Sequence, residues 1–306
     1  MSGKMRAVGG VVLGSVLLFG AIVPAYADSH SIEDEVRAVA PQFAAGAVQA
    51  AAAQESVDVG AIVATLPSGP ASDVEISTAV GDFAIGLPLT SSSREAEAHG
   101  ALVGIDNQNG THALASVTGD GDVRMGVLIS SATAPTEYHY PITAPGGVRL
   151  EQVNGWILIR NAEGEFLSYI EPAWAIDANG DPVPTRYELR GDSIVQVVDH
   201  QGAAYPVVAD PTSSRFFEKV IIDTKADSRG TIVRVYAKGG GPSPTLPSSV
   251  IFDDYKTLVS STYHGQKYRD QLICHVANAM GKKPWNLDSW RPDVGYAATV
   301  AAGCNP

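Results

Sequence analysis

The strongest constraint on the fold is a series of turn signals in the middle of the chain. Val148-Arg149-Leu150-Glu151-Gln152-Val153 meets Asn154-Gly155, and Trp156-Ile157-Leu158-Ile159 follows. Asn-Gly between two such runs is the strongest short hairpin signal, because both central residues of a type I′ turn need positive φ. Further turns fall at Glu163-Gly164, Asn179-Gly180, Gly191-Asp192 and Gln201-Gly202, mostly about ten residues apart. That is the rhythm of an antiparallel meander or sandwich. Tyr187-Glu188-Leu189-Arg190 and Ile194-Val195-Gln196-Val197-Val198 flank one of these turns, with apolar residues roughly alternating. Weaker strands are expected at Ala101–Val103, Ala113–Val117 and Val127–Ile129. No fixed period repeats well enough for a solenoid.

The N-terminus sets the expected compartment. Lys4 and Arg6 precede an apolar run from Val8 to Val23, and Pro24 leads into Ala25-Tyr26-Ala27. This is the layout of a signal peptide over residues 1–27, with cleavage before Asp28. The alternative is a retained anchor, but an anchor needs about 20 apolar residues and this run is shorter. No later segment is apolar and long enough to span a bilayer, so the expected location is secreted and extracellular. Export makes the environment oxidising, and two cysteines allow one intrachain pair, Cys274 with Cys304. A free thiol or an intermolecular bridge is the alternative.

Charge divides the chain. The formal net charge is −12. From Asp28 to Pro211 there are 7 Lys/Arg against 25 Asp/Glu, a net of −18, whereas Thr212 to Pro306 carry 12 against 8, a net of +4. Such asymmetry points to two regions with different partners, or to regions that partner each other. The expected organisation is a signal peptide (1–27), an Ala-rich helical arm and linker (28–73), an acidic β-rich domain (74–211) and a C-terminal α+β domain with one disulfide (212–306). The expected fold class is therefore α+β, mainly β.

Within the arm, Ser31 with Asp34 forms a capping pattern, Pro41 interrupts, and Gln42 to Gln54 reads as a second helix rich in alanine. Alanine buries little surface, so a mobile arm is expected, with folding back onto the next domain as the alternative. Leu66 to Asp73 reads as a linker. Asp210-Pro211 is the expected boundary, and a cut there would make the acidic region a pro-segment. The C-terminal part reads as a hairpin (Phe216 to Ile222, Thr231 to Ala237), helices over Phe252 to Tyr263 and Gln266 to Met280, and a short helix from Pro292 to Gly303.

Placed on a helical wheel, Leu272, Ile273, Val276 and Met280 form the apolar stripe, and Cys274 points away beside Asp270 and Asn278. A cysteine there needs a cover, which the Cys304 tail supplies. His275 at the border of the stripe is a weak catalytic candidate, with Asp270 or Asp288 as its carboxylate. The bland alternative is a satisfied structural histidine. Trp285, Trp290 and Arg291 are the binding candidates, because tryptophan and arginine are over-represented among interface hot spots; the alternative is core anchors, with Arg291 pairing with Asp288. No metal-ligand spacing, nucleophile elbow, phosphate loop, dinucleotide fingerprint or nucleic-acid motif is present, so neither metal nor cofactor is implied. The mild positive balance permits an anionic or protein partner at the cell envelope without specifying one.

The C-terminal region resembles an uncharacterised family of secreted bacterial proteins, known as domain of unknown function 2599. The resemblance rests on Arg269-Asp270-Gln271-Leu272-Ile273-Cys274-His275, on Trp285-Asn286-Leu287-Asp288-Ser289-Trp290-Arg291-Pro292 and on Cys304-Asn305-Pro306. Pro172 to Asp177, Pro184 to Tyr187 and Tyr205-Pro206-Val207-Val208-Ala209-Asp210-Pro211 resemble a β-rich leader of exported actinobacterial proteins. The resemblance implies a carrier with a variable tail and assigns no catalytic residue. The leading expectation is a non-catalytic binding module. The rival is an exported hydrolase-like effector using His275.

Overall fold

Two antiparallel sheets face each other across one core. The computed structural model describes residues 31–48, 56–239 and 241–306. The expected signal peptide and the Gln49 to Gln54 part of the expected second helix lie outside the described residues. One sheet has seven strands, in the order Ser56–Asp58, Ile62–Thr65, Val74–Thr78, Asp82–Ile85, Glu137–Thr143, Ser193–Val198 and Thr185–Arg190. The other has ten, built around Val123–Ile129, Thr111–Val117, Trp156–Asn161 and Phe166–Ile170. Inward residues such as Ile76, Tyr140, Ile142 and Ile194 from the first share a core with Ile105, Met125, Val127 and Ile157 from the second. Glu137–Thr143 shows the period of two plainly: Tyr138, Tyr140 and Ile142 are buried and the residues between them are exposed.

The expected hairpin forms. Val148–Val153 pairs with Trp156–Asn161, and Asn154 and Gly155 both have positive φ, at 50° and 86°. Its second strand is buried on both faces at Ile157, Leu158 and Ile159, as are most residues of Thr111–Val117 and Val123–Ile129. Something must therefore cover the outer face of the ten-stranded sheet, and two segments do.

The first cover is the N-terminal arm, which corrects the expectation of a mobile leader. α1 (Ile32–Val39) opens with the Ser31/Asp34 capping box and is followed directly by α2 (Pro41–Ala44). Val36, Val39, Ala40 and Phe43 pack on Leu102, Leu114, Leu128 and Val208. Phe43 is the largest of these side chains, and Gly126 makes room for it, since a Cβ there would stand 2.8 Å from its ring and 2.6 Å from the Ala209 carbonyl oxygen. Arg124 closes the arm by donating to the carbonyls of Phe43 and Ala45. Where a second helix was expected over Gln42 to Gln54, α2 ends at Ala44, and the rest of the expected helical arm holds strands at Ser56–Asp58 and Ile62–Thr65.

The second cover is the C-terminal region, a three-stranded sheet (Phe217–Asp227, Gly230–Ala237, Trp285–Asp288) with α3 (Ser248–Thr257), α4 (Gln266–Asn278) and α5 (Tyr296–Ala301). Leu158, Phe166 and Tyr169 from the ten-stranded sheet belong to the same core as Phe216, Phe217, Tyr255 and Trp285. Tyr169 stacks on Phe216 at 4.3 Å between ring centroids. The change of composition at Asp210-Pro211 falls between Val207–Ala209 and Thr212–Ser214, two short strands that both pair with Val123–Ile129. No helix among the described residues is long and apolar enough to cross a membrane.

Candidate functional site

α4 presents one edge of the expected constellation and the Trp285–Asp288 strand the other. Gln271 joins them. Its Oε1 accepts the Asp288 amide at 2.8 Å, and its Nε2 donates to the Asp288 carbonyl at 3.3 Å, so a buried side chain replaces a missing strand neighbour. Nothing in the sequence pattern marks Gln271 for that task, and it went unrecognised there.

His275 is 2% exposed. Its Nδ1 lies 2.7 Å from the Gln271 carbonyl oxygen, which fixes Nδ1 as the protonated nitrogen, and its ring tilts against Trp285 at 6.3 Å. Burial holds the imidazole below its ordinary pKa; the Gln271 carbonyl and Asp288 pull upward and Lys282 downward. The imidazole is enclosed and bonded to the main chain of its own helix.

The carboxylates are committed elsewhere. Asp270 is 1% exposed and its Oδ1 takes a 2.7 Å hydrogen bond from Gln266 Nε2 on its own helix, while Oδ2 is enclosed without a hydrogen bond. Asp288 pairs with Arg291 at 3.2 Å, and Arg291 Nη1 donates to the Pro306 carbonyl at 3.1 Å. Arg291 therefore clasps the tail to the strand, through the Asp288 pairing given above as the alternative to a binding role. Cys274 and Cys304 form the disulfide, with Cα atoms 5.4 Å apart. Among the described residues no group of three or more His, Cys, Asp or Glu could hold a metal.

The tryptophans part company. Trp285 is fully enclosed in the core and donates Nε1 to the Ala279 carbonyl at 2.8 Å. Trp290 is half-buried at the edge, with the Arg229 guanidinium 4.5 Å above its ring. Asp227 accepts two hydrogen bonds from the Arg229 side chain and one from its amide, and is itself drawn down to a pKa of about 2, chiefly by the Arg229 side chain. Of the three binding candidates, Trp290 and Arg291 sit at this corner.

The seam between the acidic and basic regions was legible only as a charge difference. Lys238 Nζ bonds Asp122 and Ser214, Arg160 bonds Asp253 at 2.9 Å, and a recess of about 290 Å³ opens between Asp122, Trp156, Glu171 and Lys238. Asp254 is the keystone. It is fully buried, pairs with Arg215, and accepts the amides of Phe216 at 2.7 Å and Phe217 at 3.3 Å.

The comparisons with known proteins fall on this C-terminal part. The family model described as "Protein of unknown function (DUF2599)" matches residues 253–306, which run from the second half of α3 to Pro306 and contain both cysteines. The similar curated relatives include the uncharacterized protein Rv0477 of Mycobacterium tuberculosis (strain ATCC 25618 / H37Rv) and the uncharacterized protein Mb0487 of Mycobacterium bovis. Each is 48% identical over 42 residues, 12% of this chain. The chain spans about 28% of the length of these relatives.

Proposed function

We propose that this is an exported, non-catalytic binding module whose C-terminal region takes an anionic, partly apolar partner at the cell envelope. One observation carries the reading. Among the described residues, the large hydrophobic side chains left exposed are Val63 in the acidic part and Ile221, Ile222, Met280, Val294, Tyr296 and Val300 in the C-terminal part. Soluble monomers leave single apolar residues exposed without consequence, but such concentration in one part of a chain marks interaction surfaces. The same part carries exposed Lys219, Lys282, Lys283 and Arg229. A cation near an anionic surface contributes about 1 kcal/mol.

The enclosed His275 and the committed Asp270 and Asp288 leave the C-terminal region with docking chemistry rather than proton-transfer chemistry. The acidic sandwich supplies a rigid mount, because the two parts share a core.

The test is co-sedimentation of the purified protein with vesicles of phosphatidylglycerol, with vesicles of phosphatidylcholine, and with isolated cell wall. Retention by the anionic vesicles or the wall, weakened by salt, is expected. Absence of retention on all three overturns the reading.

A further inference from the structure

Asp210-Pro211 lies where both sheets and the N-terminal helices meet. Asp210 is 1% exposed. Its main-chain carbonyl accepts a hydrogen bond from the Tyr187 hydroxyl, which reaches across from the facing sheet at 3.1 Å. Its Oδ2 accepts from Thr212 Oγ1 at 2.7 Å, whereas Oδ1 is enclosed with no hydrogen bond. The Tyr140 hydroxyl, on the same facing sheet, is also enclosed without a partner. A recess of about 120 Å³ reaches Asp210 between Gln42, Arg124, Glu171 and Trp174, ample for water.

A buried carboxylate kept for structure is normally saturated with donors, as Asp254 is. Asp210, like Asp270, keeps one enclosed oxygen without a hydrogen bond, but of the two it is Asp210 that precedes a proline and has a donor from the facing sheet on its own main-chain carbonyl. We propose that Asp210 cleaves its own peptide bond to Pro211, leaving two chains, one ending at Asp210 and one starting at Pro211, held together by the shared sheet and core.

The step balances with water as the one co-reactant. A carboxyl oxygen of Asp210 attacks its own main-chain carbonyl carbon, closing a five-membered ring, and the carbonyl π pair moves onto the oxygen that Tyr187 holds. The C–N bond then breaks, its electron pair stays on the Pro211 nitrogen, and the carboxyl proton ends there. The product, a cyclic anhydride on Asp210, is opened by water to two carboxyl groups. Proline assists because its imide nitrogen is more basic than a secondary amide. An aimed donor on the developing oxyanion stabilises the transition state, and a side chain carried on the Cα next to the reacting carbonyl carbon needs no encounter.

The environment favours the proton-bearing carboxyl that the step consumes. Burial pushes the Asp210 carboxyl well above the carboxylate range; the Thr212 hydroxyl opposes this, Glu171 reinforces it, and the side chain and main chain of Trp174 oppose it further. The titratable and charged groups facing it are Glu171, Arg124, Tyr140 and Tyr187. An unfolded aspartate, with a pKa of about 3.9, is almost wholly ionised at about pH 6. The fold thus extends an acid-limited reaction towards neutral pH.

The test follows the purified protein at about pH 6 by intact-mass spectrometry, folded and in concentrated guanidinium. Both cysteines lie after Pro211, so the pieces separate without reduction. The expected result is a break between Asp210 and Pro211 at least about tenfold faster in the folded protein, abolished in Asp210→Ala and slowed about a hundredfold or more in Tyr187→Phe, the size expected for loss of one oxyanion donor. Tyr187→Phe keeps the ring and decides the matter if Asp210→Ala does not fold. An unbroken folded chain, equal rates folded and unfolded, a Tyr187→Phe rate equal to wild type, or a break that survives Asp210→Ala would each overturn the proposal.

Discussion

Replacing both Cys274 and Cys304 by alanine tests how the C-terminal tail is held. The two residues are 30 apart in sequence. Closing a loop of that size removes chain entropy from the unfolded state worth about 3.6 kcal/mol at 25 °C on the loop-entropy relation. Little else secures the tail. α5 has six residues, too short to be stable alone, and Thr299 is its one buried residue. The remaining ties include the Arg291 bond to the Pro306 carbonyl and the packing of α5 on α4. We therefore expect the double variant to lose about 3–4 kcal/mol in urea denaturation followed by tryptophan fluorescence, or on the order of 10 °C in melting temperature. The amides of Tyr296–Ala301 should exchange with solvent faster than those of α4. A loss below about 1 kcal/mol, with unchanged exchange in α5, would refute the reasoning, because the tail would then be held by contacts rather than by the covalent link.

Three further outcomes follow from named contacts. Asp254→Ala strands the buried Arg215 and two backbone amides, and should cost about 3–5 kcal/mol by thermal or chemical unfolding; a cost below about 1 kcal/mol would show that the keystone is dispensable. Phe43→Ala should destabilise the protein by about 3–5 kcal/mol if the arm is part of the core, and by almost nothing if it is a loose leader. His275 has a depressed folded pKa, so its contribution is present above the unfolded value of about 6.5 and is lost as pH falls through the folded value. His275→Gln should flatten the decline of stability below about pH 6.5, and an unchanged pH profile would contradict the assignment.

How far the sequence foretold this molecule depended on the range of each interaction. The Asn154-Gly155 hairpin, the Ser31 cap and the Asp288–Arg291 pair act over a few residues, and each formed as expected. The off-stripe position of Cys274 correctly demanded a cover, supplied by Cys304. The arm was misjudged because alanine content described its average, whereas Phe43 and Val36 decided its packing. Met280 left the helix stripe because α4 ends at Asn278, and it is 41% exposed. The continuous apolar runs of the ten-stranded sheet meant burial on both faces, but the identity of the covering segments was hidden. Lys238 reaches Asp122 and Arg215 reaches Asp254 across distances in sequence that no local pattern spans. Trp285 and Trp290 looked alike as a pair, yet a strand puts residues five apart on opposite faces only while it continues, and this strand ends at Asp288.

The most direct test of the binding account compares the purified wild-type protein with Tyr296→Ser/Val300→Ser and with His275→Gln on anionic vesicles. Tyr296 and Val300 are 41% and 38% exposed. Covering that remainder contributes about 0.6–1.2 kcal/mol per side chain, so the surface pair should weaken binding about tenfold. The account predicts that loss, with His275→Gln binding like wild type. Undiminished binding by the surface pair, or binding abolished by His275→Gln in a folded protein, would contradict it.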